Sequence, residues 1–270
     1  MSLQLALRTG STVPLEVEGV TPEVVRDKRL AEIERLDIFQ GNTRVPLAEF
    51  FEVAGDPADE RMEWQGDLSG VHWLGAGMSC GAMHVAGNAG RHVGSQMRGG
   101  EIRVEGNAGD WVGGEMRGGL IQVQGRAGHG VGAASPGSAR GMSGGTILVH
   151  GEVGNEIGHA MRRGLLAVGA AGDLAGFHML AGTILVFGAA GIRHGAGMRR
   201  GTIAFLGRES PPILPSFRRA CRYRPEIMAV LLRHLRTTGF PVPAGVADDG
   251  LELYNGDLLE GGRGELLVRC

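Results

Sequence analysis

The sequence predicts a mainly β fold. It reads as a right-handed parallel β-helix of glycine-rich coils of about 19 residues, with a small α+β cap before it and a helix-containing extension after it. The first observation behind this is repetition. GAMHVAGNAGRHVGSQMRG from Gly81 returns as GEIRVEGNAGDWVGGEMRG from Gly100, GTILVHGEVGNEIGHAMRRG from Gly145 and GTILVFGAAGIRHGAGMRRG from Gly182. The opening glycines, Gly81, Gly100, Gly119, Gly145, Gly164, Gly182 and Gly201, are spaced 19, 19, 26, 19, 18 and 19 residues apart. A fixed period near 20 residues marks a solenoid, in which each repeat packs only on its neighbours.

The second observation is alternation. Each copy starts with a short strand whose inward pairs are Met83/Val85, Ile102/Val104, Ile121/Val123, Ile147/Val149, Leu166/Val168, Ile184/Val186 and Ile203/Phe205. Apolar residues at period two bury one face of a strand. Glycines every few residues follow, and no run has helical length or period. The third observation is a methionine register. Met78, Met97, Met116, Met142, Met161, Met179 and Met198 recur at one place in successive copies, as flexible side chains filling the coil interior would.

Taken in order, residues 1–61 form the cap. LQLALR and VPLEVEG are strand-like, and TPEVVRDKRLAEIERL reads as one helix from Thr21, with Pro22 and Glu23 suited to its first turn. NTRVPLAEFFEVAG follows as a strand or short helix. Residues 62–207 are the solenoid, with 62–81 a degenerate first coil. The third copy carries seven extra residues within AASPGSARG, near 133–141, which leave the coil as a loop. Residues 208–270 are the extension. PPILP is stiff, and a helix entered at Pro225 presents Ile227, Met228, Leu231, Leu232 and Leu235 until Gly239 stops it. An acidic VADDG and a strand-like ELLV close the chain. The extension is expected to pack on the side or the C-terminal end of the solenoid.

Composition excludes several classes of function. The net charge of −2 and 5% aromatic content argue against a nucleic-acid partner. No apolar stretch is long enough for a signal peptide or a membrane span, and Cys80, Cys221 and Cys270 make no disulfide framework. The expected location is the cytoplasm. Of 27 basic residues only Lys28 is lysine, which points to a GC-rich genome.

GNAGRHVG, GNAGDWVG and GEVGNEIG look like phosphate-binding loops, but they recur in every copy and no long helix follows. No HExxH or CxxC is present, and the histidines scatter over different coil positions. The expected catalytic set and metal set are therefore both empty.

The arginines carry more. Arg98 and Arg117 follow a ladder methionine directly, as do Arg162 with Arg163 and Arg199 with Arg200, and Arg140 lies in the insertion. Stacked coils would line them along one edge. Like charges so placed repel unless an anion lies between them. The edge is either solvated beside carboxylates such as Glu115 or a docking strip for an acidic partner or a polyanionic carrier. Outward strand positions change from Glu101, Arg103 and Glu105 to Leu148, Leu165, Leu185, Phe187 and Leu206. Such an apolar patch needs a cover, either the extension itself or another subunit, for which these five residues would be the interface.

Copies of the form GNAGxxVGxxMRGG resemble the glycine repeat in the C subunit of formylmethanofuran dehydrogenase. The glutamate synthase large chain is similar over the repeats alone. The flanks TPEVVRDKRLAEIERLDIFQGNTRVPLAEFFEVAG and PSFRRACRYRPEIMAVLLRHLRTTGFPVP resemble those of the formylmethanofuran dehydrogenase C subunit, so the resemblance spans nearly the whole chain. It implies a component of a larger enzyme, with the catalytic residues in other subunits and no cofactor held by this chain. One setting is a formyltransferase/hydrolase complex with amidohydrolase-like and formyltransferase subunits. It moves formyl from tetrahydromethanopterin to a methanofuran-like carrier and releases formate. The other is a tungsten or molybdenum dehydrogenase. Lysine scarcity favours the first. A glutamate-synthase-type structural module and a free-standing enzyme are the remaining readings.

Overall fold

The computed structural model describes residues 2–246 and 250–269. Cys270 and the acidic pair of VADDG, Asp248 and Asp249, lie outside the described residues. The chain is mainly β and is dominated by one large, mostly parallel sheet. Its parallel run begins at Leu3–Leu7, continues through Arg61–Gln65, Ala82–Val85, Glu101–Val104, Leu120–Val123, Ser143–Val153, Arg163–Ala171, Thr183–Val186 and Arg200–Phe205, and ends at Arg263–Arg269. Antiparallel strands flank it, Phe51–Ala54 at one end and the pair Leu251–Gly256 and Arg218–Tyr223 at the other.

Register follows the repeat. Met62, Met83, Ile102, Ile121, Ile147, Leu166, Ile184, Ile203 and Leu266 face one another rung by rung. All seven inward pairs and all seven ladder methionines are buried. A second row of bridges joins Leu68, Ala89, Ala108, Ala127 and Val153, so the copies stack coil on coil beyond the strands.

The tight corners need glycine where a side chain would strike the coil before. Gly119 has φ +93°, and a Cβ there would lie 2.7 Å from the Gly100 carbonyl oxygen. No L residue fits without displacing backbone.

The GNAG segments have a structural role. Asn88 Oδ1 accepts the amide of Asn107 at 2.9 Å, Asn107 Oδ1 that of Arg126, and Asn155 Oδ1 that of Asp173. Asp110, Asp173, His72 and His129 do the same for His129, Ile192, Arg91 and Asn155. Each coil thus offers an acceptor to a corner amide of the next, which would otherwise lack a partner.

Two expectations are corrected. The helix expected from Thr21 to Leu36 is two single turns, Pro22–Val25 and Leu30–Ile33. Arg29 between them is extended, and its amide donates to the Glu32 carboxylate at 2.7 Å, starting a second helix instead of continuing the first. The break lets Val25 and Ile33 both reach the core, while Val24 stays 41% exposed.

The second correction concerns Leu148, Leu165, Leu185, Phe187 and Leu206, expected as a partner interface. They are at most 8% exposed. Helix Glu226–Thr237 lays Met228, Leu232 and Leu235 over them, joined by Phe240, Val246, Leu251 and Leu267. Each such leucine contributes about 1.5–3 kcal/mol by leaving water. The chain covers this patch itself, and Ile227, expected on the same helix face, points away at 60% exposure.

Candidate functional site

Arg98, Arg117, Arg162 and Arg199 occupy one row. Their amides donate to the carbonyls of Met78, Met97, Met142 and Met179, the ladder residues of the preceding coils. Ser143 and Leu180 hold the same place in the two intervening coils, donating to Met116 and Met161. The row is therefore interrupted: after Arg98 and Arg117 in adjacent coils, coils without arginine alternate with coils that carry it. All six predicted arginines, Arg163 and Arg200 included, are exposed.

Arg162, Arg163, Arg199 and Arg200 border a groove of about 640 Å³ whose floor is Gly164, Leu180, Ala181, Gly182 and Thr183. The interruption creates that floor: Leu180 and Ala181 stand where other coils carry arginine. A second groove of about 560 Å³ is bordered by Arg117, Arg140 and Arg162 beside Glu115. Arg162 belongs to both, so the two form one basic edge. Arg98 lies further along the row and borders neither groove.

The fifth arginine of the larger groove is Arg263, which is not among the six expected from the repeat. Strand Arg263–Arg269 is the last parallel rung, and it sets Arg263 directly opposite Arg200. A signal for it exists. Aligning GGRGELLV, from Gly261, with RRGTIAF, from Arg199, puts Gly264 on Gly201 and Arg263 on Arg200. Among the described residues, Arg199 is the member of this edge with a carboxylate within 4 Å, namely Glu260 at 3.2 Å. Glu115 instead accepts the Ser135 amide at 3.1 Å and so holds the insertion against the coil.

The larger groove thus gathers five guanidiniums over a floor that no acid lines. Guanidiniums so placed have the chemistry to hold anionic groups by point-to-point and bidentate hydrogen bonds. Among the described residues no group of three or more His, Cys, Asp or Glu could hold a metal ion. No described helix is long and apolar enough to cross a membrane.

The stack and its row of exposed arginines define a glycine-repeat protein with a basic face. The family model of the GXGXG motif matches residues 71–213. The C subunit of molybdenum-containing formylmethanofuran dehydrogenase 1 from Methanothermobacter thermautotrophicus is 39% identical over 95 residues, 35% of this chain and 24% of that protein. The C subunit of tungsten-containing formylmethanofuran dehydrogenase 2 from the same organism is 42% identical over 87 residues, 31% of this chain and 32% of that protein. The matches span about a quarter to a third of the length of these curated relatives. A chain in the crystal structure of the formyltransferase/hydrolase complex from Methylorubrum extorquens with methylofuran is 31% identical, with a TM-score of 0.90 over 99% of both chains. The chain belongs to the GXGXG motif family and, within it, to the family of formylmethanofuran dehydrogenase C subunits.

Proposed function

We propose that this chain is the C subunit of a bacterial formyltransferase/hydrolase complex, a non-catalytic scaffold in the cytoplasm. Its coils wind as a right-handed parallel β-helix, capped by residues 1–61 and closed by residues 208–270. Amidohydrolase-like and formyltransferase partners carry the chemistry. Formyl passes from tetrahydromethanopterin to a methanofuran-like carrier and leaves as formate, with no cofactor held by this chain. One observation carries the reading: the likeness to the Methylorubrum extorquens chain extends over both flanks, covering 99% of each molecule. The likeness to the molybdenum and tungsten enzymes' C subunits covers about a third of the chain. That dehydrogenase setting is the second reading.

Purifying the tagged chain from its source, with mass spectrometry, metal analysis and a formyltransferase assay, tests both. Formate release with amidohydrolase-like and formyltransferase partners, and no molybdenum or tungsten, is the expected result. Either metal with iron–sulfur partners would move the chain to the dehydrogenase.

Within this reading the edge of Arg117, Arg162, Arg163, Arg199, Arg200 and Arg263, with Arg98 further along the row, guides the acidic tail of the carrier. Reversing Arg162→Glu together with Arg200→Glu, both on the larger groove, should slow formyl transfer at limiting carrier while the complex stays assembled. Unchanged turnover under those conditions would remove the carrier role.

A further inference from the structure

A third feature lies at another corner of the coils, one turn before the ladder methionines. Trp73, His92, Trp111, Gly130 and Glu156 take the same place in five successive coils, each with φ between 57° and 68°. The first three side chains stack. The Trp73 and His92 rings are 3.9 Å apart and 2° from parallel, and His92 and Trp111 are 5.4 Å apart and 7° from parallel. At Gly130 the ladder stops for want of a side chain. On the far side stand Glu156 and His159, the latter backed by the Phe177 ring at 5.3 Å.

The missing rung leaves a notch of about 450 Å³ between Trp111 and His159. Ala133, Ala134 and Pro136 of the inserted segment wall it. Two coil steps separate its flanks, about 10 Å at the usual inter-strand spacing. That leaves room for a flat group against the Trp111 ring, within reach of Glu156 on the far side.

The charge of the notch is set by Glu156. No arginine or lysine lines it. Burial, with the nearby His178, holds His159 below the ordinary histidine range, and Glu156 only partly offsets this, so its ring is neutral near pH 7. His129 Nδ1 is taken up in accepting the Asn155 amide. Among the described residues no cation pairs with Glu156 within 4 Å. A flat π face beside an unpaired carboxylate attracts a planar cation, which stacks on the indole and donates to the acid at once.

We propose that the Trp111–His159 notch binds a guanidinium or amidinium group as the fourth rung of the aromatic ladder. The inserted segment separates this site from the groove of Arg117, Arg140 and Arg162, and its preference for cations is opposite in sign. It takes either a free small molecule or an arginine side chain of a partner.

The test titrates benzamidinium into the full chain while following the indole N–H signal of Trp111, identified by its loss in Trp111→Leu. Saturable movement of that signal is expected, with neutral benzamide about tenfold weaker, as is benzamidinium on Glu156→Gln, the scale of a charge-assisted hydrogen bond. Gly130→His completes the ladder and should abolish binding. Side chains already occupy this φ in neighbouring coils, and the new Cβ would sit 3.1 Å from Trp111 Nε1, so the indole must give only slightly. Glu156→Gln, on an exposed side chain, keeps the test valid if Gly130→His folds poorly. No shift in the wild type, or equal affinity in Glu156→Gln, would overturn the proposal. Repeating the titration on the assembled complex separates the sources. Blocked binding there assigns the notch to a partner's arginine, and retained binding to a small molecule.

Discussion

Glu63, His84 and Arg103 share one outward row of the sheet with Leu148, Ala167, Leu185, Ala204 and Leu267. The first three meet solvent and the other five are sealed beneath the C-terminal segment. Gln122 lies on the seam. Its amide donates to His150 Nε2 at 3.0 Å and to the Thr238 carbonyl at 3.4 Å, where the covering helix ends. Inward, the two halves are alike, since every rung buries an apolar pair. The inner face therefore builds the stack, and the outer face decides only what lies on it.

Charge on the outer row gives the largest contrast. Leu185→Asp, at a fully buried position, should cost about 4 kcal/mol or more, because an unpaired carboxylate would be trapped under the helix. Glu63→Ala in the same row should stay within about 0.5 kcal/mol. Denaturant titration of both variants measures the difference, and equal losses would mean that the early coils are covered as well.

Corner glycines should not distinguish the halves. Gly119→Ala and Gly201→Ala each force a Cβ to within 2.8 Å of a carbonyl oxygen of the coil before. Both should lose about 2–4 kcal/mol. A loss in only one would show that the inner scaffold is not uniform.

Acid comes next. Burial holds His72, His92, His150, His159 and His194 below the ordinary value of 6.5. The unfolded chain then binds protons that the folded chain refuses. Stability is complete above about pH 6.5 and falls as pH drops through and below that value. His194 is 2% exposed inside the stack, its Nε2 has no partner among the described residues, and its Nδ1 accepts the Ala175 amide at 3.3 Å. His194→Leu should remove up to one proton from the slope, about 1.4 kcal/mol per pH unit. An unchanged pH profile would assign the slope to the other four. The smallest effect is at the seam. Gln122→Ala should cost about 1 kcal/mol, the net worth of a hydrogen bond, and raise the exchange rate of the Thr238 amide at the helix end.

The stack was legible because its signals are periodic. Met97, Ile102 and Gly119 each recur at a fixed offset, so every copy checks the others. The arginine row was legible for the same reason. What escaped depends on contacts between distant segments. Nothing local in Leu185 says whether residues 226–240 or a second protein will cover it. Arg263 reaches Arg200 only because its strand adds itself as the last rung. Arg29 breaks the early helix because Glu32 turns back to its amide, a local signal that the apolar spacing of Val25 and Ile33 concealed. The gap at Gly130 is visible in sequence only once Trp73, His92 and Trp111 are known to share a corner.

That last rung has a consequence for biosynthesis. The coils can form in order as the chain leaves the ribosome, each laid on the one before. Strand Arg200–Phe205, however, finds its outer neighbour only in Arg263–Arg269, some sixty residues later in synthesis. Until those residues emerge, a nearly complete stack presents a bare, parallel-ready edge to every other nascent copy nearby. Self-assembly errors should therefore concentrate in the time needed to translate the roughly sixty codons that separate Phe205 from Arg263–Arg269.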